Sequence, residues 1–203
     1  MPIESLFEGL GEPRGEPWCI AFVNTVSSRG HESRRDRLTG IEDLRAWLQR
    51  AGVMREDASA VGEDPRLLER AVRLREAIYA IGNALAHGHN VSDDDIGELN
   101  WNVQKALVTP QIKFKNQELE WEVEAMRGSI SGCLGLLALS AAGLFTSERA
   151  GRVKTCGDES CAWMFLDLSK NRSRKWCDMS DCGNLAKARR YYAKHKAEAS
   201  GRN

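Results

Sequence analysis

Four cysteines near the end of this 203-residue chain fall into two identically spaced pairs, Cys156-x4-Cys161 and Cys177-x4-Cys182, with 15 residues between them. The runs inside the pairs, "GDES" and "DMSD", are rich in residues that accept tight turns and aim backbone N–H groups inward, where they can satisfy thiolate charge. The other two cysteines, Cys19 and Cys133, stand alone in apolar stretches, where thiols pack as inert small hydrophobes.

The opening "MPIESLFEGLGEP" carries acidic residues and no basic segment leading into an apolar run, so a cytoplasmic protein is expected. In that compartment disulfides are reduced, and two regular cysteine pairs are better explained by a metal. Soft thiolates at this spacing select zinc, with an iron–sulfur cluster and a redox switch as the alternatives. Four cysteine ligands close the tetrahedron and leave no position for an activated water. One structural Zn2+ per chain is therefore expected, held by Cys156, Cys161, Cys177 and Cys182.

Between the pairs, "CAWMFLDLS" alternates in a strand-like way, "KNRS" gives a polar turn and "RKWC" returns, which predicts a hairpin carrying Cys177 back to Cys161. After Cys182 the sequence "LAKARRYYAKHKA" has basic residues at helical spacing. A ligand in the first turn of a terminal helix predicts a treble-clef-like finger.

The rest of the chain reads as helical. "PWCIAFVNTVSS" has apolar residues at near-helical spacing behind Pro17, and Thr39 is placed to cap "GIEDLRAWLQRAG". Asp64-Pro65 opens a helix of about six turns that Gly88 closes, and Ser92 with Asp95 opens another that ends before Pro110. "QIKFK" and "ELEWEVE" flank Asn116-Gln117 as a β-hairpin with one wet face. The apolar stretch Ile130 to Phe145 spans 16 residues, about 24 Å as a helix, which is short for a hydrocarbon layer of about 30 Å. It is expected to be a buried central helix, and no membrane role is expected. The fold class is thus mainly α: residues 1–148 as a helical domain with a small β-hairpin, and residues 149–203 as a zinc finger.

Formal net charge is zero but unevenly spread. Residues 1–148 carry 16 Lys+Arg against 23 Asp+Glu, giving −7, and residues 149–203 carry 13 against 6, giving +7. A basic module on an acidic body suggests a polyanionic partner.

These residues resemble the CGNR zinc-finger family, bacterial proteins that join a C-terminal finger to an N-terminal helical ABATE domain and are regarded as stress-induced transcription regulators. The resemblance rests on "FVNT" (Phe22 to Thr25), "DLRAWL" with Trp47, "LREAI" (Leu74 to Ile78), Leu99-Asn100 and "RVKTCGDESCAWMFLDLSKNRSRKWCDMSDCGN". It implies that the four clustered cysteines are zinc ligands and that the finger binds DNA. Two positions depart from the pattern: the signature ends in Leu185 where the family has Arg, and Ala21 precedes "FVNT" where the family has an acidic residue.

Within that reading, Lys170, Arg172, Arg174 and Lys175 at the turn and Lys187, Arg189, Arg190 and Lys194 on the helix are the candidate phosphate-contacting surface. An operator-binding protein would often be a homodimer. The alternative is a protein-interaction or small-molecule-sensing module in which the finger is purely structural. Asn24, Thr25, Arg75 and Asn100 are polar residues within apolar helical stretches and mark a candidate pocket for a small-molecule effector. The four histidines show no HExxH or other catalytic spacing and no phosphate loop or GxSxG occurs, so an enzyme is not expected.

Overall fold

A computed structural model describes residues 16–29, 31–58, 64–107, 111–115, 117–122, 125–158 and 160–200. The helices run α1 (Trp18–Val23), α2 (Ile41–Arg50), α3 (Leu67–His87), α4 (Asp93–Leu107), α5 (Ile130–Thr146) and α6 (Asn184–Ser200). Three antiparallel strand pairs join them: β1 (Val26–Ser27) with β2 (Arg35–Asp36), β3 (Gln111–Lys115) with β4 (Glu118–Glu122), and β5 (Val153–Thr155) with β6 (Met164–Leu166). The mainly helical class with small hairpins is as the sequence predicts. No helix among the described residues is long and apolar enough to cross a membrane.

Helix α5 is the axis of the core. Ser129 caps it by accepting from the Gly132 N–H at 3.1 Å, and Ile130, Cys133, Leu134, Leu136, Leu137, Ala138 and Ala141 are fully buried. Its apolar surface runs all round, and α1, α3 and α4 cover it. Helix α3 presents Ala71, Leu74 and Ile78 to this core and ends at Gly88 in the left-handed region, which releases the chain at little steric cost.

Two local readings change. Helix α1 stops at Val23, and Val26 pairs with Asp36 as a strand, so Thr25 lies in the turn between them. The cap of α2 is Gly40, and Asp43 reaches back to accept from the Thr39 and Gly40 N–H groups at 3.0 and 3.1 Å, so Thr39 donates to the Asp43 carboxylate rather than capping the helix.

The C-terminal hairpin also differs from expectation. Strand β6 pairs with β5, Val153 to Leu166 and Thr155 to Met164, rather than with the segment before Cys177. The reason is burial. Val153, Met164 and Leu166 all join the same apolar cluster as α1, α3 and α5, so β6 is drawn against the body and the later segment remains a loop. Gly82 on α3 permits this approach, since a Cβ there would lie 2.5 Å from the Met164 methyl.

Candidate metal centre and its surroundings

The Cys156–Cys161 loop hangs from the end of the β5–β6 hairpin, with the Cys156 N–H donating to the Trp163 carbonyl at 2.7 Å. The second loop reaches it through Gly157, whose N–H donates to the Lys175 carbonyl at 2.8 Å. A Cβ at Gly157 would sit 3.1 Å from that carbonyl and 3.2 Å from the Trp176 ring, so only the smallest residue lets the two loops meet without a shift. Cys177 then precedes a π-helical turn, Met179–Gly183, that contains Cys182 and leads into α6.

The four Sγ atoms lie within 4.8 Å of one another. Cys161 and Cys177 are 3.6 Å apart, and Cys177 and Cys182 are 3.7 Å apart. A tetrahedron with zinc–sulfur arms of about 2.3 Å has edges of about 3.8 Å, so the cluster fits one zinc ion. Its electrostatics also call for a cation. Hydrogen bonding from the Cys177 thiol lowers Cys161 to about 6, while the same contact raises Cys177, and burial together with the Cys161 contact pushes Cys182 up to about 12. One thiolate forms readily and opposes the next; a divalent ion at the centre removes that opposition.

Around the cluster one local device occurs three times. Asp158, Asp167 and Asp178 each accept from the N–H and the hydroxyl of a serine two residues on: Ser160, Ser169 and Ser180. The Asp-x-Ser spacing is a signal present in the sequence that the residue patterns above did not use. Asp167 is fully buried. Burial opposes its ionisation, but the Lys154 ammonium at 2.6 Å, Ser169 and the Arg174 N–H outweigh it and hold its carboxyl well below the usual range. Asp158, also buried, is lowered by its Ser160 hydroxyl bond and further by Arg189.

The candidate basic residues divide accordingly. The Arg189 guanidinium donates to Asp158 at 3.1 and 3.2 Å, tying α6 to the first cysteine loop. Arg174 donates to the carbonyls of Trp176 and Cys177 and lies over the Phe165 ring at 4.6 Å, bracing the second loop. Lys170, Arg172, Lys175 and Lys187 are exposed and form no ion pair among the described residues. The side chains of Arg190 and Lys194 lie outside the described residues. Leu185 is 45% exposed at the start of α6.

The four polar residues of the body do not gather at one place. Arg75, fully buried, donates to Asp36 through both terminal nitrogens at 2.8 and 2.6 Å, to Thr25 at 3.1 Å and to Glu76 at 2.9 Å. The Thr25 hydroxyl in turn donates a hydrogen bond to the Phe22 carbonyl at 2.8 Å. Asn24 instead grips the finger: its amide donates to the Met164 carbonyl at 2.8 Å and accepts from the Met164 N–H at 2.9 Å. Asn100 is exposed on α4, which corrects the expectation that it sits among apolar residues; the buried asparagine of that helix is Asn102, two positions on and so on another side of the helix. Asp36, the partner that neutralises Arg75 in the core, lies in the short strand β2, and its segment has no apolar periodicity to signal that role.

A groove of about 680 Å3 opens between body and finger, lined by Asn24, Ser27 and Ser28 on one side and by Trp163, Leu168 and Leu185 on the other. It adjoins Cys161, Cys177 and Cys182.

Comparison with known families agrees with this arrangement. Residues 16–148 match the ABATE family model, described as "Putative stress-induced transcription regulator", and residues 152–195 match the CGNR zinc finger. No curated protein matches the chain.

Proposed function

The chain belongs to the ABATE family, and from that premise we propose that it is a zinc-stabilised transcription regulator whose C-terminal finger contacts DNA through backbone phosphates. The observation that carries the reading is the division of the basic residues. Arg174 and Arg189 hold the cysteine loops in place, while Lys170, Arg172 and Lys175 on one loop and Lys187 on α6 are exposed beside them and uncompensated among the described residues. Uncompensated lysines and arginines on a scaffolded loop gain most from a polyanion, because neutralising phosphates releases condensed counterions. The acidic body, by contrast, repels DNA and would limit contact to the finger. Zinc has a structural role here, since four thiolates saturate it.

The test uses the full chain, because Met164 and Leu166 are part of the body's core. Duplex DNA binding is measured against salt for the wild type and for the triple variant Lys170→Gln, Arg172→Gln, Lys175→Gln. Binding that weakens steeply with salt, with a shallower slope in the variant, supports the reading. Absence of binding at low salt, or equal slopes, overturns it.

A second reading, sensing of a small molecule, is favoured by the groove between body and finger, in which Asn24 is the member of the predicted pocket that takes part. A ligand there would touch both Asn24 and Leu185, so its binding would be altered by Leu185→Arg. Insensitivity to that substitution would argue against the groove as its site.

A further inference from the structure

A second recess, of about 520 Å3, lies on the body and is lined by Asp64, Arg66, Glu69, Arg70, Arg73, Trp101, Lys105 and Ser131. It sits between α3, α4 and the first turn of α5. Four of these residues are cationic and two anionic, a surplus of two positive charges on a body whose net charge is −7.

The pairing inside the recess shows where that surplus resides. Arg66 is matched to Asp64 at 3.0 Å, and Arg73 is matched to Glu69 at 2.8 Å and to Glu98 at 3.6 Å. Arg70 and Lys105 form no ion pair among the described residues. Arg70 has its guanidinium carbon 4.7 Å from the centre of the Trp101 ring, and the Lys105 ammonium approaches the same ring at 5.7 Å. Among the described residues the Arg70 Nε is buried and has no hydrogen-bond acceptor. A half-buried guanidinium has lost part of its hydration, and the ring face offsets that loss only in part. What it lacks is an acceptor.

We propose that this recess binds a compact dianion of the phosphate class, inorganic phosphate or a small phosphate monoester. Arg70 from α3 and Lys105 from α4 supply the two uncompensated charges, and Ser131 in the first turn of α5 adds a hydroxyl where the helix dipole also favours an anion. A tetrahedral group can offer oxygens to three elements at once. An extended nucleic-acid strand is disfavoured, because Asp64 and Glu69 line the recess and the body around it is net acidic. The site is separate from the finger and does not depend on the DNA reading.

The test is calorimetric titration of inorganic phosphate into the zinc-loaded full chain at low ionic strength, with Arg70→Gln, Lys105→Gln and, as a control on the finger, Lys175→Gln. Saturable one-site binding is expected, weakened by about tenfold or more in Arg70→Gln, where a charge-assisted contact is lost, weakened also in Lys105→Gln, and unchanged in Lys175→Gln. Lys105 is exposed, so its variant stays informative if Arg70→Gln fails to fold. No saturable binding, equal affinity in wild type and Lys105→Gln, or loss of binding in Lys175→Gln would each overturn the assignment. Equal affinity for succinate would overturn the preference for phosphate.

Discussion

Asn24 holds the backbone of Met164 at both ends, accepting from its N–H at 2.9 Å and donating to its carbonyl at 2.8 Å. The side chain of one asparagine thereby takes the place of a neighbouring strand along the open edge of β6. One step away, the Ser28 N–H donates to the Cys161 carbonyl at 3.1 Å, so the body touches the metal-holding loop directly. Behind this clasp, Arg75, Thr25 and Asp36 fix the turn that carries Asn24. Three hydrogen bonds thus join the metal-holding hairpin directly to the helical body.

Asn24→Ala leaves the Met164 N–H and carbonyl without partners in a buried strand. It should lower stability by about 1–3 kcal/mol. Chemical unfolding measures the loss, and hydrogen exchange at Met164 should accelerate more than exchange in α5; equal exchange at Met164 in variant and wild type would contradict the clasp.

Removing zinc should reach beyond the finger. Cys177→Ser, or chelation, is expected to abolish stoichiometric zinc while the helical signal persists, because α3 and α5 retain most of their packing. The melting midpoint should nonetheless drop by roughly 6–24 °C, since loosening β6 releases Met164 and Leu166 from the shared core at about 1.5–3 kcal/mol each. Elemental analysis and circular dichroism decide it. Full zinc retention in Cys177→Ser would refute the four-ligand site.

Acid should weaken the clasp through Asp36. Burial opposes its ionisation, but the paired hydrogen bonds and charge of Arg75 outweigh that and hold its carboxyl below its ordinary value of 3.8. A carboxyl depressed on folding stabilises the native state above its unfolded value, and the benefit disappears as pH falls through the lower, folded value. Urea unfolding of wild type and Asp36→Asn should therefore show a stability gap at neutral pH that narrows below about pH 4. A gap independent of pH would show that Asp36 acts through shape alone.

Arg172 and Arg174 should separate binding from architecture although they lie two residues apart. Arg172→Ala is expected to keep zinc and stability while reducing the salt slope of DNA binding by about 1. Arg174→Ala removes the donors to the Trp176 and Cys177 carbonyls and the cover over Phe165, and should cost about 1–2 kcal/mol and weaken zinc retention. The paired measurement of zinc competition and DNA affinity distinguishes them.

Much of this protein is local and was legible as such. The identical spacing of Cys156–Cys161 and Cys177–Cys182 defines a metal site because ligand chemistry depends on residue type and short-range turn geometry. Helices α3 and α5 were readable because the stop at Gly88 and an unbroken apolar run need no distant partner, although α3 begins at Leu67 with Arg66 and not Asp64 at its N-cap. Tertiary structure alone decided the rest. Strand β6 chose β5 because Met164 and Leu166 gain more from burial against α3 than from a hairpin with the segment before Cys177. Arg75 became a core residue because Asp36 arrives from strand β2, 39 positions away, to neutralise it. Arg174 and Arg189, indistinguishable in sequence from their basic neighbours, were assigned to bracing by carbonyls and a carboxylate that only folding brings within reach. Charge type is written residue by residue, whereas the partner that consumes a charge depends on long-range packing.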